Sequence, residues 1–328
     1  GERPGPTVLL RADIDALPIA EAGDRAWKSR NEGFSHACGH DGHTAMLVGA
    51  LRVLSKLRPR LAGSVRFVFQ PAEESGGGGK KLVELGLAKR DPVPVAAYAL
   101  HGWPSLPLGV LGARGGPQMA ASDRFTLEVI GRGGHGAAPH TTIDPVVTSA
   151  QLILALQTIA SRRVRPTEPV VVSVGTIHGG QADNAIPEHV VLEGTTRYFD
   201  AALGKEIPKR MEEIIRGICQ AAGATWRFDY RYGYVPLVND ADVVARAAEV
   251  VTAYLGAAAW NDALEPSMGA EDFSFFLREL PGAYLRLGLG EGNGSLHNPR
   301  FDFNDEALAP GITALVALAV ETLARPAR

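Results

Sequence analysis

Hydrophobic and polar positions along the first third of the chain predict strands and helices in turn. Apolar residues fill "VLLRADID" (8–15) and "SVRFVFQ" (64–70), whereas "GHTAMLVGALRVLSKL" (42–57), which lies between them, repeats its apolar residues at the helical period. A further helix, "GKKLVELGL", and a further strand, "PVAAYALH", follow. Such alternation is typical of an α/β sheet.

The pattern changes near residue 122. Strand, helix, strand, strand, helix and strand follow, as "RFTLEVIG", "DPVVTSAQLILALQTIAS", "PVVVSVGTIHG", "HVVLEGTTRYF", "KEIPKRMEEIIRGICQAAG" and "TWRFDYRY". This β-α-β-β-α-β order is the ferredoxin-like split unit. After Gly233 the chain returns to long helices and one strand, "AYLRLGLG". We therefore expect a larger α/β domain in two parts, 1–119 and 233–328, with a smaller α+β domain, 120–232, inserted between them in the sequence.

Composition narrows the class of protein. A chain of 328 residues exceeds one ordinary core, and 45% hydrophobic residues, 21% charged residues and a net charge of −3 are those of an ordinary soluble globular protein. The basic residues form no long run, so no nucleic-acid partner is expected. No apolar run reaches the ~18 residues of a membrane span, so no membrane partner is expected. Cys38 and Cys219 give no disulfide framework and suit a reducing, cytoplasmic compartment.

The stretch "SHACGHDGHTAM" (35–46) concentrates histidine and cysteine. If this segment is extended, the side chains of His36, Cys38 and His40 share one face. Thiolate and imidazole are ligands that zinc and other first-row divalent metals prefer, so the spacing predicts a metal site. The alternative is a polar loop that caps the following helix, and this alternative suits His43 better than it suits Cys38 or His40.

Further ligand-type residues stand where predicted strands end. Asp13 and Asp15 end the first strand, Glu73 and Glu74 follow the second, and His101 ends the third. Ligands of open α/β sheets bind at the carboxyl ends of the strands. One aspartate at a strand end is as readily a helix cap or a turn, but three such strand ends beside a Cys/His loop favour a metal site.

Glu73 and Glu74 are expected to have different roles, because adjacent side chains point in different directions and only one easily coordinates a given ion. The other would take and return the proton of a water whose pKa the metal lowers to roughly 7, as amide hydrolysis requires. The alternative is a solvated turn. The glycines at 76–79 would let the backbone turn tightly behind the glutamates.

Two apparent nucleotide-binding motifs are rejected. "GRGGHG" (131–136) satisfies G-x-G-x-x-G, but Pro139 and Pro145 delay the helix, and no acid follows ~20 residues on. "ESGGGGKK" places Glu74 where a phosphate loop has its first glycine, and no Ser or Thr follows Lys80. No dinucleotide or nucleotide cofactor is therefore expected.

The chain resembles a known enzyme family through motifs that occur in family order. They are "RADIDALPI", "HACGHDGH", "PAEESGGGG", "GGHGAAPH", "NAIPE", "GTTRYFD", "SMGAEDFSFF" and "LHNPRFDFNDE". Together they resemble the metal-dependent amidohydrolases of the aminoacylase and carboxypeptidase superfamily, in the hippurate hydrolase and N-acyl-amino-acid (auxin-conjugate type) amidohydrolase branch. Family members usually have a substantial segment before the strand with "RADIDALPI", and this sequence lacks it. We expect the difference to affect stability more directly than chemistry.

The resemblance implies a zinc-peptidase-like α/β catalytic domain with a dinuclear metal site and an inserted ferredoxin-like lid or dimerisation domain. Two divalent ions per chain (zinc, manganese, cobalt or nickel) would be held by a bridging Cys38 together with His40, Glu74, His101 and His297. Glu73 would be the general acid and base, and Asp15 would orient a metal ligand.

For the inserted domain, the resemblance implies that His135 reaches the substrate carbonyl from the partner subunit of a homodimer. Asn184 and Arg197 match lid positions that contact the substrate. The alternative for His135 is that it only stabilises the turn "GRGGHGAAP".

The expected function is hydrolysis of the amide of an N-acyl amino acid to a carboxylate and a free amino acid. The alternative within the enzyme class is a dipeptidase or carboxypeptidase on the same scaffold. Outside that class, the alternative is a metal-binding module without catalysis.

Overall fold

The computed structural model describes residues 1–325. Its strands are β1 (Arg3–Asp13), β2 (Ala62–Gln70), β3 (Pro94–Trp103), β4 (Leu111–Gly112), β5 (Gly116–Met119), β6 (Ala121–Ile130), β7 (Gly134–His135), β8 (Val170–Gly179), β9 (Ala185–Ile186), β10 (His189–Tyr198), β11 (Thr225–Tyr234), β12 (Leu237–Asn239), β13 (Trp260–Asn261) and β14 (Gly282–Gly288). Its α-helices are α1 (His40–Leu57), α2 (Gly78–Glu84), α3 (Pro145–Leu156), α4 (Ala201–Ala222), α5 (Ala241–Leu255), α6 (Ser274–Leu277) and α7 (Leu308–Ala324). Single helical turns lie at Arg58–Arg60, Pro139–Thr141, Ile159–Arg163, Ala257–Ala259 and Asp305–Ala307.

The first of two compact units, unit 1, comprises Gly1–Gln118, Leu237–Pro266 and Glu271–Arg328. Its six-stranded sheet has the order β13-β4-β14-β3-β1-β2, in which the described pairs are parallel except for β14 with β4. Val8, Leu9 and Leu10 of β1 are completely buried, as expected for a parallel strand that is covered on both faces. The predicted α/β sheet is confirmed.

Helix α7 belongs to the core of unit 1. The segment Asp305–Ala324 is 20 residues long, has a mean hydropathy of 1.8, and is by length and composition long and apolar enough to cross a membrane. Its charged residues Asp305, Glu306 and Glu321 keep any uninterrupted apolar run below ~18 residues, as expected from the sequence. Half of its most apolar 18-residue stretch is nevertheless buried inside the protein, and Leu315 and Leu318 lie in the hydrophobic core. A buried core helix can have the same length and the same apolar composition as a helix that crosses a membrane.

The second unit, unit 2, comprises Met119–Pro236 and Ser267–Ala270. Its antiparallel sheet has the order β11-β6-β10-β8, with α3 and α4 in the connections, which is the predicted β-α-β-β-α-β unit. The short segment Ser267–Ala270 falls outside the predicted range 120–232. It joins unit 2 because the Ala120 amide donates to the carbonyl oxygens of Ser267 and Gly269, at 3.0 and 2.9 Å.

Helix α4 shows how local sequence builds unit 2. The Asp200 carboxylate accepts a hydrogen bond from the Ala202 amide and caps the helix, so the helix begins before the predicted Lys205. It ends at Gly223, which has φ 73°. The buried apolar residues lie on one face at the helical spacing: Leu203, Ile207, Met211, Ile214 and Ile215.

Candidate metal centre and active site

The predicted site residues of unit 1 meet at the carboxyl ends of three neighbouring strands. Strand β1 ends at Asp13 and leads to Asp15, β2 leads to Glu73 and Glu74, and β3 contains His101. The three strands are parallel and adjacent in the order β3-β1-β2. The sheet therefore gathers residues that are far apart in the sequence.

Cys38, His40 and Glu74, all of them predicted ligands, form one group of potential metal ligands. Their sulfur, nitrogen and oxygen atoms all lie within 4.8 Å of one another. The preceding residues form a turn, in which the Gly39 amide donates to the His36 carbonyl at 3.0 Å. The premise of an extended segment is therefore wrong, although two of its three proposed ligands do come together. His36 lies outside the groups of potential ligands found among residues 1–325.

Two histidines present their Nε2 atoms to this group for the same physical reason. His40 Nδ1 lies 3.1 Å from the Asp15 carbonyl oxygen, and His101 Nδ1 lies 2.8 Å from the Gly102 carbonyl oxygen. A carbonyl oxygen only accepts, so each Nδ1 carries a proton and donates it. Each Nε2 is then left as a potential ligand, and that of His101 is 3.5 Å from Cys38 Sγ.

Buried polar atoms at this point fit a cation. His40 Nε2 and Glu74 Oε1 are both buried without a hydrogen bond and lie 3.9 Å apart. For a buried nitrogen such as His40 Nε2 that state costs about 1–3 kcal/mol. A metal ion bound by both atoms would remove this cost and place a positive charge beside the Glu74 carboxylate.

His297 reaches the same oxygen from the other end of the chain. Its Nε2 forms an ion pair with Glu74 Oε1 at 3.3 Å, and the Glu74 carboxylate raises the pKa of His297. The His297 amide donates to the Ala37 carbonyl at 2.7 Å, which ties its loop to the Cys38 turn. The resemblance had selected this histidine, whereas spacing alone gave no reason to choose it.

Backbone strain coincides with the site. Within residues 1–325, Ala72 (φ 59°) and His297 (φ 63°) are the non-glycine residues with positive φ. This conformation costs roughly 1–2 kcal/mol for an L-residue. Ala72 directly precedes Glu73, so both strained residues adjoin or belong to the predicted machinery, where such strain commonly accumulates.

Asp15 holds the backbone of both glutamates. Its Oδ1 accepts from the Glu73 amide at 3.1 Å, and its Oδ2 accepts from the Glu74 amide at 3.0 Å. Its carbonyl also orients His40. The glycines behind the glutamates turn the chain as expected, because Gly77 has φ 61° and α2 begins at the next residue.

Electrostatics also favour a cation at Cys38 and His40. Burial, and then the carboxylates of Glu74 and Glu73, raise the pKa of the Cys38 thiol, so the thiolate needs a positive neighbour. Burial alone would lower the pKa of His40, but nearby carboxylates, chiefly Asp13, raise it to about 9. In the metal-free protein Cys38 and His40 therefore tend to keep protons on atoms that could instead bind a metal ion.

The carboxyl group of Glu73 suits proton transfer. Burial, followed by the charges of Glu271 and Asp272, raises the pKa of Glu73 well above its ordinary value, although Arg11 acts in the opposite direction. A carboxyl group whose pKa is raised holds a proton more readily than an ordinary glutamate does, which suits a group that accepts a proton and returns it.

Sequence reasoning missed the buried ion-pair network around Arg11. This side chain is 1% exposed and pairs with Asp13 at 2.8 Å and with Glu271 and Asp272 at 2.9 Å each. Two of these acids, Glu271 and Asp272, lie in "SMGAEDFSFF", a motif to which the sequence analysis gives no role. The available signal was an arginine in the apolar strand "VLLRAD", since a buried guanidinium requires acidic partners.

His43 is not the loop cap that the alternative interpretation described. It lies in the first turn of α1, whose N-cap is Gly39, and it is 1% exposed. Its Nδ1 is 2.6 Å from Asp13 Oδ1, and its Nε2 accepts from the Gly102 amide at 2.8 Å. With both nitrogens engaged, His43 has no lone pair left for a metal.

In unit 2, His135 and Asn184 are neighbours. Strand β7 pairs His135 with Ala185 of β9, and the Gly136 amide donates to the Asn184 carbonyl at 2.7 Å. His135 is exposed, and its Nδ1 accepts from the Ala137 amide at 3.0 Å. In the neutral ring the proton is therefore on Nε2, which can act as a donor. The same hydrogen bond also stabilises the turn.

Arg197 lies in β10, opposite Ser122 of β6 and Val171 of β8. Its side chain is half-buried, and its guanidinium donates to the Thr196 carbonyl at 3.0 Å and to the Thr195 hydroxyl. These contacts hold the guanidinium against its own strand.

Comparisons with known proteins give the family. Residues 9–321 match the model of peptidase family M20/M25/M40. The chain is 39% identical over 313 residues to N-acetyl-L-cysteine deacetylase of Bacillus subtilis, covering 94% of this chain and 72% of that protein. It is 38% identical over 328 residues to thermostable carboxypeptidase 2 of Saccharolobus solfataricus, covering 98% and 82%.

A solved structure agrees with this assignment. The Bacillus subtilis YXEP protein, described as a dinuclear metal binding peptidase from the M20 family, superposes with a TM-score of 0.85 at 34% identity, covering 99% of this chain and 83% of that one. The family resemblance of the motifs is thus confirmed, and the chain belongs to peptidase family M20/M25/M40.

Proposed function

We propose that this protein binds two divalent metal ions and hydrolyses the amide of N-acyl amino acids to a carboxylate and a free amino acid. The observation that carries the proposal is the group of Cys38, His40 and Glu74, with buried atoms that lack hydrogen bonds. Glu73 is adjacent to Glu74 in the sequence, and its charge contributes to the raised pKa of the Cys38 thiol. The similarity to an N-acetyl-L-cysteine deacetylase supports the class of substrate.

The proposed metal ligands are a bridging Cys38 with His40, Glu74, His101 and His297. Zinc, manganese, cobalt and nickel are the candidate ions, because sulfur, imidazole and carboxylate donors suit first-row divalent metals. When bound, the ions supply Lewis-acid activation of water and of the amide carbonyl.

Glu73 is the proposed proton carrier. Its carboxylate accepts a proton from the attacking water and returns it to the amide nitrogen, which leaves as the free amine. Asp15 keeps this carboxylate in place, because it holds the amides of both Glu73 and Glu74.

His135 is the proposed donor to the amide oxygen, supplied by the partner subunit of a homodimer formed through unit 2. Its Nε2–H is available for this task because Nδ1 accepts from Ala137. A preorganised donor to the developing oxyanion is worth roughly 3 kcal/mol, or about a hundredfold in rate. We assign substrate contacts to Asn184 and Arg197.

A carboxypeptidase or dipeptidase is the second candidate, since the chain is also similar to a thermostable carboxypeptidase. A metal-binding module without turnover is the third. We place the enzyme in the cytoplasm, because Cys38 and Cys219 are both free thiols, as a reducing compartment allows.

The experiment is an activity panel on the full chain. Metal is removed with a chelator, and zinc, manganese, cobalt and nickel are then added singly with N-acyl amino acids, dipeptides and longer peptides. We expect activity to disappear on chelation and to return preferentially on N-acyl amino acids. Preference for peptides would favour the second candidate, and metal binding without any turnover the third.

The cysteines provide a matched pair for the metal assignment. We expect Cys38→Ala to lower the bound metal per chain, measured by elemental analysis. Cys219→Ala, which removes the other buried thiol, from α4 of unit 2, should leave metal content unchanged. Full metal content and full turnover in Cys38→Ala would exclude the bridging assignment.

A further inference from the structure

His43 is a buried imidazole whose protonation state follows from its two partners. The Gly102 amide can only donate, so His43 Nε2, 2.8 Å away, must be the acceptor. His43 Nδ1 therefore carries the proton and donates it to Asp13 Oδ1 at 2.6 Å. The geometry selects one neutral tautomer.

The same glycine orients a second histidine through its carbonyl oxygen. His101 Nδ1 donates to the Gly102 carbonyl at 2.8 Å, which leaves His101 Nε2 on the side of Cys38 Sγ. The pairing of β1 with β3 ends at Arg11 and Ala99, so Gly102 lies beyond that part of the ladder. His43 supplies a partner for its amide there.

Asp13 anchors the other end of this chain of hydrogen bonds. Its Oδ1 accepts from His43, while its Oδ2 is 2.8 Å from Arg11 Nη1. The guanidinium is in turn held by Glu271 and Asp272. All of these side chains are buried, so none can turn without breaking a desolvated ion pair or hydrogen bond.

We infer that His43 is a positioning residue: with Asp13 it fixes the Gly102 backbone and thereby holds His101 in the tautomer and orientation needed to bind metal. The inference rests on the proposed function, in which His101 is a ligand. Residues that orient ligands in this way typically change metal affinity by about 10–100-fold when they are altered.

The test compares two substitutions in the full chain. His43→Leu removes both the donor and the acceptor, whereas His43→Gln can keep an amide donor for Asp13 and an acceptor for Gly102. Zinc affinity of the metal-free proteins is measured by competition with a chromophoric chelator. We expect His43→Leu to bind zinc about 10–100-fold more weakly, and His43→Gln to recover most of that loss.

Tyr98→Phe is the matched control. It removes a buried hydrogen bond of unit 1, between the hydroxyls of Tyr98 and Thr322 at 3.0 Å, that has no part in the site. Its zinc affinity should equal that of the native chain. If His43→Leu also matches the native chain, which itself binds zinc, the inference fails while the proposed function stands. If the native chain binds no zinc, the proposed function fails first, and the inference falls with it.

A spectroscopic readout tests the two tautomers, first in the native chain, where it does not depend on how a variant folds. With ¹⁵N-labelled histidine, the metal-free protein should show His43 and His101 each with a protonated Nδ1 and an unprotonated Nε2. In His43→Gln this signature of His101 should persist. A proton on His43 Nε2 in the native chain, or the native His101 tautomer retained in His43→Leu, would overturn the inference.

Discussion

Asp13 in unit 1 and Asp123 in unit 2 are both buried aspartates, with exposures of 0% and 1%, yet their partners differ in kind. Asp13 is paired with a guanidinium and with an imidazole, those of Arg11 and His43. Asp123 accepts from neutral donors: the hydroxyls of Tyr198 and Tyr230 at 2.7 and 2.8 Å and the Gly233 amide at 2.9 Å.

This difference in partners indicates that the region around Asp13 is reactive and that the region around Asp123 is structural. Around Asp13, burial and neighbouring charges shift the pKa of several groups, among them His40 and Glu73, and some buried polar atoms lack hydrogen bonds. Around Asp123, hydroxyl and amide donors satisfy the carboxylate with no other ionised side chain among its hydrogen-bond partners. Burial and Asp123 also raise the pKa of Tyr198 and Tyr230, but the raised pKa keeps these phenols neutral donors. Perturbed ionisable groups at strand ends, beside buried polar atoms without hydrogen bonds, mark a functional site, whereas a carboxylate closed off by neutral donors holds a sheet together.

The largest expected effects are those of substitutions at the two adjacent glutamates of unit 1, which should change turnover and metal content differently. Glu73→Gln should keep its metal but lose turnover by a factor of about a hundred or more, because an amide cannot carry the proton. Glu74→Gln should lose metal first, since it removes a ligand. Elemental analysis and initial rates on the same samples measure both quantities. The opposite order of metal loss would exchange the two roles.

The fold was predictable where periodicity is strong. The long strands and helices and the β-α-β-β-α-β order follow from apolar spacing, whereas β4 and β13 are two residues long and too short to show a period. The membership of Ser267–Ala270 in unit 2 depends on backbone contacts with Ala120, a distant part of the chain that no local pattern reports.

The site was predictable where chemistry is concentrated. Cys38 and His40 stood out because histidine and cysteine are rare in this chain and cluster there. The Arg11 network did not stand out, because Arg11 and Asp272 are 261 positions apart and pairing over such a separation leaves no local trace. The left-handed backbone of His297, whose amide donates to the distant Ala37 carbonyl, likewise leaves no local pattern in the sequence.

A substitution at His135 tests whether unit 2 contributes a residue to catalysis. His135→Ala should lower turnover by about a hundredfold without loss of metal, because it removes an oxyanion donor. Mixing it with Glu73→Gln under conditions that exchange subunits should restore activity, since a shared site in the mixed dimer combines an intact Glu73 with an intact His135.

The mixing experiment is read with native mass spectrometry to count mixed dimers. One of the two sites in each mixed dimer is expected to be intact, so the activity per site should approach half of the native value. Mixed dimers that form but stay at background activity would mean that His135 acts within its own chain or has no catalytic role.

Asp123→Asn is expected to affect stability and not metal binding. The substitution replaces one acceptor oxygen with an NH₂ group, which must then face either the Gly233 amide or the two tyrosine hydroxyls. A loss of about 1–3 kcal/mol in the stability of unit 2 should follow. Hydrogen exchange measured by mass spectrometry should report it in peptides of β6 and β10. A change in zinc content of the folded protein would contradict the structural role.

The last expected effect concerns pH and Glu271 of unit 1. Burial is the largest cause of its pKa shift, and although Arg11 opposes it, Asp13 and Asp272 reinforce it, so the pKa rises from 4.5 to about 7. A carboxyl group whose folded pKa is raised contributes stability below its unfolded pKa, and that stability is lost as the pH rises through about 7. The contribution of Glu271 to the stability of metal-free unit 1 should therefore decline between pH 4.5 and about 7.

Glu271→Gln should flatten this decline, because the amide does not ionise. Hydrogen exchange of β1 peptides, followed across that pH range and corrected for intrinsic exchange, gives the slope of stability for unit 1. Glu212→Gln, an exposed position on α4 of unit 2, is the control and should leave the slope unchanged. If the slopes of the native chain and Glu271→Gln coincide, Glu271 does not contribute to the pH dependence, and the contrast between the charged network of Asp13 and the neutral one of Asp123 weakens accordingly.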